Sequence, residues 1–208
     1  INPVTIDKFK ATIGKRNGIA TTNRFAITIT PPTQTLLNLG GLIGGGPLIN
    51  DPRDINILCK SCSLPGKLIM TGDYDPYGVF PSKYPQSTVQ EDVVFNFVLT
   101  NDFYAKKLFD KWQSSIIDDA SQLVSYDSTY KTDVFIQELN KQNNPVYAVR
   151  LRDAFPTSVN SIDLSNDNTD AVAEVSVNMA YSYFETEPPI RSMINSTSNK
   201  LNILKRLI

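Results

Sequence analysis

The sequence contains no histidine. That absence removes the Ser-His-Asp and Cys-His arrangements of nucleophilic catalysis and leaves zinc without its usual nitrogen ligand. Cysteine is nearly as scarce. Cys59 and Cys62 form one C-x-x-C pair, too few for a four-ligand zinc site. A redox pair would need a helix starting at the first cysteine to lower its pKa, whereas Ser63-Leu64-Pro65-Gly66 follows and reads as a turn. No run approaches the roughly 18 apolar residues of a membrane span. The opening Ile1-Asn2-Pro3-Val4 lacks the apolar core of a signal peptide, so synthesis in the cytoplasm is the expectation. Neither a cofactor nor a membrane anchor is expected.

Charge is also sparse. A hydrophobic share of 41% supports a real core in 208 residues, but 20% charged residues is slightly low for a soluble monomer. Asn, Ser and Thr fill the polar remainder, which suits hydrogen-bonded contacts between subunits. The net charge of −1 hides an uneven layout. Lys8, Lys10, Lys15, Arg16 and Arg24 face only Asp7 in the first 24 residues. Arg191, Lys200, Lys205 and Arg206 face no acid after residue 189. The body between is acidic. Basic ends on an acidic body fit nucleic-acid binding, docking on acidic neighbours of the same kind, or chance clustering on solvated tails.

Periodicity supplies the elements. Ile6, Phe9 and Ile13 predict a short helix over 5–13 with Thr5 as its cap. Arg24 to Thr30 alternates as a half-buried strand, closed by Pro31-Pro32. Residues 36–47 hold five of the ten glycines, but Pro47-Leu48 stands where a phosphate-binding loop needs Lys and Ser/Thr. A mobile apolar insertion or an interface loop is the expectation there. Ile55 to Cys59 reads as a strand, and 72–85, with three prolines and three tyrosines, as a rigid loop. Val93 to Leu99 places Phe95, Phe97 and Leu99 on one strand face.

Asn101-Asp102 offers a cap for the clearest helix. There Ala105, Leu108, Phe109, Trp112 and Ile116 form the apolar stripe, and Lys106, Lys107, Asp110 and Lys111 the other face. Strands are expected at 133–139, 146–152, 159–164 and 172–184. Together these predict a mainly β protein, an antiparallel β-sandwich or barrel with one flanking helix. The plan is a basic arm (1–24), a β body (25–187) with a Gly-rich insertion (33–52) and a helix at about 102–118, and a basic amphipathic extension (188–208). Ile190, Met193, Ile194, Leu201, Leu204 and Ile208 make a helical stripe in that extension, with a partner subunit as its expected seat.

Catalytic and metal chemistry find little support. Asp73/Asp75, Glu91/Asp92 and Asp118/Asp119 are neighbouring acids of the kind found in solvated turns. Asp163, Ser165, Asp167, Thr169 and Glu174 take positions 1, 3, 5, 7 and 12 of a calcium loop, but Asn168 replaces the required glycine and both flanks read as strands. A polar hairpin loop is the simpler reading.

The order of segments carries more than any one of them. Cys59-Lys60-Ser61-Cys62-Ser63-Leu64-Pro65-Gly66 precedes the helix segment Phe109-Asp110-Lys111-Trp112-Gln113, then Tyr130-Lys131-Thr132-Asp133. Ala154-Phe155-Pro156-Thr157-Ser158-Val159 follows, then Ile162-Asp163-Leu164-Ser165, Ala173-Glu174-Val175-Ser176-Val177 and Tyr181-Ser182-Tyr183. Over roughly 23–187 this resembles the tail tube family of contractile-tailed bacteriophages. The resemblance implies a non-enzymatic subunit of a virion tail, in stacked hexameric rings whose hairpins, shared between neighbours, line a β-barrel channel. DNA passes through without specific binding, and sheath and baseplate proteins are the other partners. A baseplate tube initiator of the same family and a β-sandwich binding module are the alternatives. Expected interface residues are Phe155 and Pro156, placed in a turn before the last hairpin, and Arg191, Lys200, Lys205 and Arg206. Deleting residues 190–208 is expected to leave a folded subunit that stacks poorly, read as shortened tubes by negative-stain electron microscopy. Unchanged length removes the tail from assembly.

Overall fold

The computed structural model describes residues 5–16, 18–32, 52–74, 78, 80, 82–118, 121–162 and 172–187. The Gly-rich insertion up to residue 51, most of the calcium-like loop, and Arg191, Lys200, Lys205 and Arg206 lie outside them. The described residues divide into two compact units, one drawn from Ile1–Ala26 and Gln137–Ala148, the other from Ile27–Ile136 and Val149–Glu187.

The smaller unit holds α1 (Ile6–Lys15) and the 140–144 turn. Thr5 is extended at the N-cap of α1 but makes no side-chain cap bond. Asn140 organises the turn: its Oδ1 accepts the backbone N–H groups of Gln142 and Asn144, both at 2.9 Å. Arg24 reaches Asn143 Oδ1 at 2.7 Å.

The larger unit is mainly antiparallel β. Its strands belong to β1 (Phe25–Ile29), β2 (Cys59–Cys62), β3 (Lys67–Tyr74), β4 (Ser82–Gln90), β5 (Val93–Val98), β6 (Thr132–Leu139), β7 (Pro145–Val159), β8 (Glu174–Ala180) and β9 (Tyr183–Glu187). The main sheet runs β1-β6-β7-β8-β5-β2, with β9 also on β7, while β3 and β4 form a separate two-stranded ribbon. The sheet is not closed into a barrel. At one end β2 is only four residues long. At the other, the Ile29 N–H donates to Asn56 Oδ1 at 2.8 Å, a device that blunts an open edge.

The alternation expected of β5 is present. Val93, Phe95 and Phe97 are buried, opposite Met179, Val177 and Val175 of β8. Helix α3 (Tyr104–Ile116) covers this layer with Ala105, Leu108, Phe109 and Trp112. Phe97 meets Phe109 with ring centres 5.1 Å apart, and Phe109 stacks on Trp112 at 6.1 Å, separations within the range of favourable aromatic pairs. The buried Trp112 indole donates to the Tyr130 carbonyl at 2.8 Å, so its polar edge is satisfied. Tyr130 closes the short α4 (Asp127–Tyr130).

Several expectations need correction. Of the strand expected over 55–59, Ile55 to Ile57 belong instead to α2 (Pro52–Ile57), and only Cys59 is strand, the first residue of β2: proline favours a helix's first position and Asp54 suits its positive end. Helix α3 starts two residues later than the Asn101-Asp102 cap implied. Phe103 takes a left-handed conformation with φ of 56°, and Asp102 instead accepts from the Thr100 hydroxyl. The expected 146–152 strand and the Phe155-Pro156 turn merge into the single strand β7, which carries a left-handed Asp153 with φ of 55°. The expected 172–184 strand breaks at Tyr181-Ser182 into β8 and β9.

A charge ladder ties β6, β7 and β9 together. Asp133 accepts from Arg150 Nε at 3.1 Å and Arg152 Nη1 at 3.2 Å, and Arg152 Nε donates to Glu185 at 3.0 Å. Arg150 also lies over the Phe135 ring, 5.0 Å from its centre. Partial burial alone would raise the Asp133 pKa, but the hydrogen bond and charge of Arg150, helped by Arg152, hold it below the ordinary 3.8. A carboxylate with a depressed folded-state pKa adds stability that is complete above its unfolded value and lost as pH falls through the folded one. Urea unfolding midpoints should therefore fall below about pH 4, and Asp133→Asn, already destabilised at pH 7, should lose less on further acidification. An identical acid slope in wild type and variant would exclude Asp133 as a source.

Candidate assembly surface

The β3–β4 ribbon is the feature that the sequence reading missed. Eight register pairs join it, from Lys67 opposite Gln90 at the root to Tyr74 opposite Ser82. The register shifts between Met70 and Thr71, leaving Gln86 as the extra residue of a bulge, and Pro85 sits beside it, where a missing N–H is tolerated. Pleating sorts the side chains onto two faces. Leu68, Met70, Tyr74, Tyr84 and Val89 share one face with Gly72, Ser82 and Ser87. Lys67, Thr71, Asp73, Lys83, Thr88 and Gln90 share the other with Ile69 and Pro85. Neither face is covered: Leu68 is 57% exposed on the first and Ile69 55% on the second. On β4 only Gln90, at the root, withdraws from solvent.

The ribbon is shaped and anchored. A β-carbon at Gly72 would come within 2.8 Å of the Tyr84 ring, so the glycine is what lets the tyrosine lie across β3. At the root, Glu91 and Asp92 lead directly into β5. Asp92 Oδ2 accepts from the Thr157 hydroxyl at 3.1 Å, and that hydroxyl also lies 3.1 Å from the Asn178 carbonyl. The Phe155-Pro156-Thr157 segment thus reaches the arm through its threonine, which sequence reasoning had passed over. Phe155 sits on β7 opposite Ala180 and packs edge-on to Tyr130 at 5.5 Å. Pro156 is buried opposite Met179. Both contacts lie within the chain.

The other candidates do not converge on a site. Cys59 and Cys62 are half-buried on β2 beside Phe97 and Phe95. Burial pushes their thiols up to about 12 and about 11, with the neighbouring Cys62 adding to the shift at Cys59, the opposite of a reactive pair. Among the described residues no three metal-ligating side chains cluster, and no helix is long and apolar enough to cross a membrane.

Comparison with known proteins accords with this geometry. A family model described as phage tail tube protein matches residues 20–187. The structure is similar to a chain in the cryo-EM structure of the anti-feeding prophage baseplate, with TM-score 0.57 and 14% identity over 81% of this chain and 95% of that one. It is also similar to a chain of the sheath/tube terminator of an extracellular contractile injection system, with TM-score 0.56 and 16% identity over 82% and 97%. A chain of that system's sheath-tube complex gives TM-score 0.53 and 18% identity over 81% and 91%. At these identities the likeness establishes the fold. No curated protein matches.

Gly72→Ala should displace the Tyr84 ring while leaving the core intact. Hydrogen exchange should then show faster β3 and β4 amides with unchanged β5 and β8 amides. Unaltered exchange in the arm would mean that the glycine is dispensable.

Proposed function

The chain belongs to the phage tail tube protein family, and from that premise we propose that it is a non-enzymatic main-tube subunit, closing into hexameric rings that stack in the virion tail. The observation that carries this reading is the β3–β4 ribbon with both faces in water. A lone two-stranded hairpin is marginal at best, and this one presents Leu68, Met70, Tyr74, Tyr84 and Val89 together. Each large apolar side chain gains about 1.5–3 kcal/mol on full burial, so covering this face on a neighbour is a strong drive to assemble. In the ring the apolar face packs outward on the adjacent subunit and the ribbon edges pair with neighbouring arms, completing the barrel that one chain leaves open.

The opposite face then lines the lumen. Its Lys67 and Lys83 are offset by Asp73 and separated by Thr71, Thr88 and Gln90. Tight DNA binding needs many phosphate-neutralising cations, so a sparse and balanced lining suits a channel through which DNA slides. Sheath and baseplate proteins are the further partners in this scheme. Phe155 and Pro156 serve it by fixing β7 beneath the arm, and the basic 1–24 and 188–208 segments are assembly extensions.

The test is face-specific. Leu68→Asp with Met70→Asp alters exposed residues, so the subunit should fold, but its mass in solution should drop from a hexamer to a monomer. Ile69→Asp on the other face should still form rings visible by electron microscopy. Rings that survive the first variant, or a wild-type chain that stays monomeric at every concentration, would overturn the proposal.

A further inference from the structure

Two surfaces outside the arm are of opposite character. One is the apolar stripe of α1. No residue of this helix is buried, and Phe9 is 60% exposed. Lys10 borders the stripe on the helical wheel, and Lys8, Lys15 and Arg16 make the helix basic. An isolated helix of 10 residues is marginal in water, so its stripe calls for a partner. The other surface is a depression of about 260 Å³ in the larger unit, lined by Asp54, Ile57, Leu58, Thr100, Asp102 and Tyr104. Tyr104 is buried and Leu58 half-buried, which gives an apolar floor, while Asp54 and Asp102 are exposed at its margin. Ile57 stands there 80% exposed, an unusual exposure for isoleucine on a helix. Asp102 is engaged by the Thr100 hydroxyl, whereas Asp54 forms no ion pair among the described residues.

The two surfaces are complementary in polarity and sign: an exposed aromatic side chain flanked by lysine, and an apolar hollow flanked by carboxylate. We propose that the depression receives α1 of a second copy of this chain, with Phe9 seated over Ile57 and Leu58 and Lys10 paired with Asp54. This rests on the tail tube reading. Heterologous contacts either close a ring or repeat without closing; with ring closure assigned to the arms, this one is assigned to the joint between one ring and the next.

Lys10→Glu and Asp54→Lys each reverse one exposed charge and leave the arm untouched. Each alone should keep the ring mass unchanged and shorten the stacked tubes several-fold, and the two together should restore most of the length. Singles that stack like wild type, or a double variant no better than the singles, would overturn the docking. Rescue of Asp54→Lys by Lys205→Glu with Arg206→Glu, and not by Lys10→Glu, would make the C-terminal segment the occupant and overturn it as well. Absence of rings in the wild type is a failure of the tail tube reading, and the contact is read independently of it. Mixing Phe9→Cys chains with Ile57→Cys chains under mild oxidation should give a cross-linked dimer well in excess of either variant alone. No such excess would refute the contact.

Discussion

Backbone hydrogen bonding along an open edge is the constraint on which this molecule turns. The β3–β4 ribbon has two edges and two faces; among the described residues no further strand pairs with either edge, and Leu68 and Ile69 leave both faces exposed. Proteins ordinarily blunt such edges with bulges, prolines and charge. The arm has a bulge at Gln86 and a proline at Pro85, yet it keeps a clean apolar face from Leu68 to Tyr74. That combination prevents indiscriminate pairing without removing the drive to pair. A specific neighbour, presented in a fixed orientation, is the arrangement that satisfies it.

Fixed orientation is the task of the body. The aromatic run Phe97, Phe109 and Trp112 locks α3 onto β5 and β8, and the Trp112 indole ties it on to α4. The Asp133, Arg150, Arg152 and Glu185 ladder joins three strands. Such partly exposed pairs add modest stability individually, but a connected set restricts how β6, β7 and β9 shear past one another. The arm springs from this platform at Asp92, where Thr157 of β7 meets it. A root held to both β7 and β8 transmits the geometry of the sheet to the ribbon.

The parts legible in the sequence are those where burial has a period. Val93 to Val98 alternates because one face of β5 is covered, and α3 shows its stripe because one side meets the sheet. The arm was illegible for the complementary reason. Its local composition of Gly72, Pro76, Pro81 and Pro85 matches a loop, and its apolar alternation at Leu68 and Met70 is exposed rather than turned to a core. The pattern Lys67-Leu68-Ile69-Met70-Thr71 was the available signal, cut short by a bulge that sequence does not announce. Helix α2 was misread because Ile55, Ile57 and Leu58 fit either period over so short a span. The Phe103 cap was missed because a left-handed aromatic runs against local preference; only the surrounding turn, with the Phe103 N–H on the Thr100 carbonyl at 2.8 Å, holds it there.

The same logic bears on the charge layout. A subunit that must close into a ring and also stack needs two contacts that do not compete. Apolar burial is short-ranged and tolerant of salt, whereas attraction between basic ends and an acidic body acts over about a Debye length, roughly 8–10 Å at physiological salt. If the arms supply the first and the ends the second, the two steps answer to different conditions. In the proposed hexamer, ring closure then persists in salt that weakens stacking, and each ring brings six sets of basic ends to bear at once, each strengthening the others through effective concentration. Weak individual charge contacts become sufficient only after the ring exists. Assembly by that order would favour extension of a formed ring over association of single chains, which is the behaviour that a tube of regular cross-section requires.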